Sequence, residues 1–214
     1  MSAPDPLRLA SGLTVPDPLG RLRSFCTAEY AYYDAIPSTH PNCIEPIDIL
    51  ATVSMNSFVN SANRVRSVHQ GLAEACNPIL ADIPVDADLR TFPHPPVQRL
   101  LDAACRVRWV LVPVATKVLH RKRRSLIPML DGVVIGYYRQ AGVSVSGAAL
   151  QDGARAAGAV MPVLEAFRAD LADAWDRLTV MTSRLAEEGY LLTPLRALEL
   201  LIWTETEPRG YYRG

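Results

Sequence analysis

The sequence predicts an all-α fold, and three features predict it. Apolar residues recur at helical spacing through most of the chain, strand-like alternation is scarce, and prolines and glycines fall where helices would start and stop. With 214 residues and 49% hydrophobic content, the chain can bury one sizeable core, as a single domain with room for two lobes. Residues 1–44 read as a Pro-rich segment and short helix packed on the body, and residues 45–214 as one helical domain.

The elements follow in order. Pro4, Pro6, Pro16 and Pro18 keep residues 1–24 out of regular structure. A short aromatic helix over 26–35 carries Tyr30, Tyr32 and Tyr33, and 37–46 is a loop. Glu45-Pro46-Ile47-Asp48 then places proline and acids in a first helical turn. The helix it opens runs over 47–72, with a polar break at 56–63. Another covers 73–82, and a Pro-rich connector at 92–96 leads into a helix over 97–106. The stretch 106–134 packs an apolar helix, a basic run, an apolar bend and one isolated acid, Asp131. A helix continues from Asp131 to about 140, and others cover 147–157, 161–188 and 194–204, with Gly189 as a helix stop.

Composition excludes several classes. No uninterrupted apolar run reaches the roughly 18 residues of a membrane span, and MSAPDPLRLASG lacks a signal peptide's basic start and apolar centre. Cys26, Cys43, Cys76 and Cys105 form no C-x-x-C pair, which argues against zinc or iron–sulfur and for buried thiols in a reducing cytoplasm. His40, His69 and His94 have no ligand spacing, and neither a Gly-rich phosphate loop nor a Gly-x-Ser-x-Gly elbow occurs. The expectation is a cytoplasmic monomer with no metal and no cofactor.

Net charge is zero, but its distribution is uneven. Between Leu100 and Gln140, eight lysines and arginines face two acids, a local balance of +6. His120, Arg121, Lys122, Arg123 and Arg124 are consecutive, and such density is either an anion-binding face or a solvated loop. Asp131 follows the apolar Leu126-Ile127-Pro128-Met129-Leu130. It reads as the N-cap of the next helix, or as a carboxylate working where water is scarce, and the two roles are compatible. Asn56, Asn60 and Asn63, with Arg64 and Arg66, form either a base pocket and wedge or a plain exposed face. Tyr30, Tyr32 and Tyr33 either stack on a base or pack in the core; Trp175 and Trp203 read as core, and Trp109 beside Arg108 as a possible DNA contact.

The order of apolar helix, loop, helix, basic segment and apolar stretch ending in Asp131-Gly132-Val133-Val134 resembles the helix-hairpin-helix, endonuclease III-like DNA glycosylase superfamily. In that family a Leu-Pro-Gly-Val-Gly-x-x-Thr-Ala hairpin precedes a catalytic Asp in an Asp-x-x-Val context. With Ala115 as the closing Ala, Asp131 falls at the family's spacing. Val53-Ser54-Met55-Asn56 resembles the helix that carries the family's amide wedge. The chain also looks like an uncharacterised bacterial family with an Arg-Lys-Arg-Pro, Ile-Pro, Asp-Ser-Val-Val run. Coverage runs from about 45 to 138.

There are departures. Trp109-Val110-Leu111 stands where the hairpin has Gly-x-Gly, so a backbone phosphate nest is lost or reshaped. Pro113 occupies the position of the Schiff-base lysine. The resemblance therefore implies a two-lobed fold and a monofunctional glycosylase that flips a base out of double-stranded DNA and leaves an abasic site. Asp131 would be catalytic. Lys117, His120, Arg121, Lys122, Arg123, Arg124, Arg108 and Trp109 would hold DNA, and Asn56, Asn60 and Tyr33 would form the wedge and base pocket. The departures point to a specialised substrate, a damaged base in repair or a hypermodified base of viral DNA in antiviral defence. A non-catalytic DNA- or protein-binding module is the alternative, and an RNA-binding protein a third reading.

Overall fold

Proline opens helices in this chain more than it blocks them. The computed structural model describes residues 5–57 and 59–206, so Pro4, Phe58 and positions 207–214 lie outside the described residues. Within 1–24, β1 (Leu7–Arg8) pairs antiparallel with β2 (Thr14–Val15), and α1 (Pro18–Glu29) starts on Pro18 with the Asp17 side chain accepting from Gly20 N at 3.0 Å. The expected irregular segment and 26–35 helix are thus corrected. A proline at the first helical position gives up an N–H that would have had no partner anyway, so Pro18 sets φ for a helix. A single 3-10 turn over Tyr30–Tyr32 follows.

The same chemistry starts α2 (Pro46–Val53), where Glu45 and Asp48 form a reciprocal capping box. Residues 54–57 and 59–61 are not helical, which overlaps the break expected at 56–63, although Ala62 and Asn63 already belong to the next helix. After it, α3 (Ala62–Ala81) is one helix of 20 residues where two were expected. Gly71 lies inside it, and a Cβ there would run into the Val107 side chain, so the glycine serves close packing of α3 against the turn after α4 (His94–Cys105). Helices α5 (Val112–Lys122) and α6 (Gly132–Gln140) bracket the apolar bend. The short α7 (Gly147–Leu150) precedes α8 (Ala156–Glu187) and α9 (Pro194–Thr206). At 32 residues α8 is the spine: α4, α6, α7 and α9 pack along it, and α9 in turn packs against α1 and α6. The main apolar core runs from Leu7 to Ile202. No helix among the described residues is long and apolar enough to cross a membrane.

The basic run turns inward, which corrects its assignment to DNA. Arg121 Nε pairs with Asp48 Oδ1 at 2.9 Å and Lys122 Nζ with Asp48 Oδ2 at 2.6 Å, all three side chains fully buried. Arg121 also donates to Pro37 O at 2.9 Å, and Lys122 to His40 O at 3.0 Å. Arg123 donates to Pro41 O (2.7 Å), Asn42 Oδ1 (2.7 Å) and Ile83 O (2.6 Å). Arg124, half-buried, lies toward the carbonyls of Asp34 and Ile36. These cations pin the 36–42 loop to the C-terminal end of α5; burying them in that work leaves Arg121, Lys122 and Arg123 no surface for a phosphate. Of the four thiols, Cys43 is exposed, contrary to expectation. Burial pushes Cys26 up to about 11 and Cys76 and Cys105 up to about 12.

His120 is buried too. Its Nδ1 lies 2.7 Å from Ile127 O, the geometry of a neutral ring donating there. Burial first, and then the Arg196 charge, push its pKa down to about 3 from the usual 6.5. A histidine depressed in the folded state contributes stability that is complete above the unfolded value and is lost as pH falls through 6.5 toward 3. Thermal melts from about pH 8 to about pH 4 should therefore show a falling midpoint, with a histidine contribution of roughly 3 kcal/mol. His120→Gln, which keeps a donor but does not titrate, should flatten that limb; an unchanged slope would contradict the assignment.

Candidate functional site

Asp131 and Asn56, 75 positions apart in sequence, line one cavity of about 1020 Å³. Its walls come from five places. The end of α1 and the 3-10 turn give Phe25, Glu29, Tyr32 and Tyr33; the break after α2 gives Val53 to Ser57 and Asn60. Pro113 and Lys117 come from α5, Met129 and Asp131 to Val133 from the bend and the start of α6, and Arg196, Glu199, Leu200 and Trp203 from α9.

Asp131 is the N-cap of α6. Its Oδ1 accepts from Val133 N at 2.9 Å and from Val134 N at 3.0 Å, while Oδ2 accepts no hydrogen bond among the described residues. One oxygen anchors the carboxylate at a helix N-terminus, and the other adds no further contact to the cap. The following Gly132-Val133-Val134 makes the first turn, and Val134 anchors the helix in the core.

Asn56 lines the cavity with φ +56°, in the left-handed region that Asn tolerates better than most residues. Lys117 fixes the residue before it: its Nζ donates to Met55 O at 2.6 Å. Lys117 is largely buried, so it faces the cavity interior and not a DNA backbone, a correction to its predicted role. Burial lowers its pKa, and the charges of Asp131 and Glu199 oppose that shift.

The floor is polar and rigid. Tyr33, buried, donates its hydroxyl to Lys117 O at 2.6 Å, and burial pushes its pKa well above the usual tyrosine value. Arg196 binds Asp34 through Nε–Oδ1 and Nη2–Oδ2, both at 3.0 Å, and also pairs with Glu199. Burial works against the Arg196 charge, but Asp34 and Glu199 more than offset it and raise its pKa. Glu199 Oε2 accepts from Met129 N at 3.0 Å, which locks the bend beneath Asp131. Burial pushes Glu199 up to about 7, against the Arg196 charge and that N–H.

Sequence reading missed Arg196, Glu199 and Asp34. The available signal was an Arg-x-x-Glu pair inside the otherwise apolar Leu195–Trp203 helix face. Trp203 forms part of the cavity wall, not the core, and Trp175 is partly buried beneath the Arg90 guanidinium. Among the predicted site residues, the structure brings together Asp131, Asn56, Asn60, Tyr33 and Lys117. His120, Arg121, Lys122 and Arg123 are buried outside the cavity lining, with His120 and Arg121 beside the Tyr33 ring. Arg108 and Trp109 are exposed, and two guanidiniums lie over that ring: Arg64 Cζ at 4.8 Å and Arg108 Cζ at 4.7 Å from the Trp109 centroid. No cluster of His, Cys, Asp and Glu suited to a metal ion occurs among the described residues.

A model of a family of unknown function, DUF6308, matches residues 21–206. No curated protein and no solved structure matches the chain.

Proposed function

The chain belongs to DUF6308, a family of unknown function, so its activity has to be argued from the site, and we propose that it is a monofunctional DNA N-glycosylase of two-lobed, helix-hairpin-helix type. The observation that carries the reading is the shared cavity: the acid and the amide that the resemblance singled out, Asp131 and Asn56, both line it. The cavity is at the upper end of the roughly 300–1,000 Å³ that drug-sized ligands occupy, so an unmodified base would leave much of it empty. A bulky or hypermodified base fits better.

In this reading the target nucleotide swings out of the duplex, Asn56 fills its place, and the base enters over Tyr33 and Met129. Breaking the C1′–N bond leaves positive charge on the sugar. Asp131 Oδ2 stabilises that charge and accepts a proton from the water whose oxygen bonds to C1′; the departing base takes up a proton in turn. The products are a free base and an abasic site. Arg196, Asp34 and Glu199 do no bond-making; they hold the floor at fixed geometry.

The test is release of abasic sites, read as strand breaks after alkali, on normal, alkylated, deaminated and hypermodified viral DNA. Breaks on the hypermodified substrate, none without alkali, are expected. Absence of breaks on every substrate would overturn the reading and favour a binding module built on the same fold.

A further inference from the structure

We propose that Arg64 and Arg108, held over Trp109, form a clamp for the phosphodiester backbone of the DNA strand that feeds the cavity. The inference rests on the DNA reading above and locates the backbone contact that the inward-facing basic run cannot make.

Asn56 and Trp109 are the non-glycine residues with positive φ among the described residues, at +56° and +71°. For a bulky side chain such as Trp, that conformation costs on the order of 1–2 kcal/mol, and strain of this kind clusters at functional sites. Burial does not offset the cost, because Trp109 is 50% exposed. The ring instead gathers two guanidiniums within cation–π range. Two like charges are thereby held together on one surface.

Charge composition sharpens the point. Positions 60–66 and 106–110 contain Arg64, Arg66, Arg106 and Arg108 and no acid. Arg108 makes no ion pair with a carboxylate among the described residues. The planar guanidinium fork of Arg108 suits phosphate.

The patch is continuous with the cavity. Arg64 Nη1 donates to Asn60 Oδ1 at 3.3 Å, and Asn60 lines the opening. From the other side, Trp109 precedes by four positions Pro113, another lining residue. A strand whose nucleotide occupies the cavity would run its next phosphates across these arginines. The contact uses side-chain charge where a glycine hairpin would use backbone N–H groups.

The test is binding of a fluorescent DNA duplex across a salt series. Arg64→Ala and Arg108→Ala should each lower the slope of log K against log salt by about 1, and the double variant by about 2. Trp109→Leu removes no charge but should weaken binding several-fold, because the guanidiniums lose their platform. Arg139→Ala, at the far end of α6 from Asp131, is the charge-matched control. Thermal melts of each variant exclude misfolding, a control that matters most at half-buried Arg64. If the wild type binds DNA and the clamp variants behave like Arg139→Ala, the clamp is wrong and the DNA reading stands. If the wild type does not bind DNA at any salt concentration, both fall.

Discussion

Asp131→Asn is expected to lower the rate of abasic-site formation by at least about a hundred-fold without lowering the thermal midpoint. The two halves of that result come from the two carboxylate oxygens. Asn is as good an N-cap as Asp, so an amide oxygen at the Oδ1 position still accepts from Val133 N and Val134 N. Replacing the charge removes the stabilisation of the sugar cation, and loss of one such electrostatic contact typically costs roughly 10²–10³ in rate. Asp131→Ala should lose activity equally and also lose the cap, about 1 kcal/mol, or a drop of roughly 2–4 °C in a chain of this size. The pair of variants separates the roles. A binding module would show the cap effect alone, and an Asp131→Asn protein of undiminished activity would remove Asp131 from the chemistry.

How much of this was legible in the sequence depended on distance. The α6 start, with Asp131 as its cap, is set by neighbouring residues, and reading the chain locally was enough. The same holds for the break after α2, whose Asn and Ser residues compete for backbone hydrogen bonds, and Asn56 was found there. Prolines were misread at Pro18 because the helix-starting and helix-blocking roles differ only in which N–H is missing. The basic run failed for a more general reason. Its partners are Asp48, 73 positions from Arg121, and carbonyls of the 36–42 loop, and no local pattern announces contacts of that range. One sign was present: His120 to Lys122 close α5, and Arg123 is its C-cap. Successive residues on a helix step round its axis by about 100°, so a consecutive run cannot keep to one face. Since α2, α4 and α8 all pack on α5, some of those cations had to point into the protein. Charge sign indicated an anion; it could not indicate that the anion was Asp48.

That internal pairing makes Asp48→Asn the most damaging single substitution expected outside the cavity. It leaves Arg121 and Lys122 fully buried with their counter-charge removed, and breaking a buried pair on one side typically costs roughly 3–5 kcal/mol. Against a total stability on the order of 5–15 kcal/mol, many molecules would be unfolded at physiological temperature. Removing all three charges together is a different matter, because the desolvation cost of burying them disappears with them. Asp48→Leu combined with Arg121→Met and Lys122→Met should recover most of the loss, a non-additivity that denaturant titrations of the wild type, Asp48→Asn and the triple variant would read directly. The carbonyls of Pro37 and His40 would lose their donors, so full recovery is not expected. Two single variants discriminate clamp from run at the DNA. Lys122→Met should destabilise the fold and leave the salt slope of DNA binding unchanged, whereas Arg108→Ala should leave the fold intact and lower that slope. The reverse pattern would mean that the 36–42 loop opens in solution and presents Lys122 to the duplex, and the inward role argued for the run would then have to be abandoned.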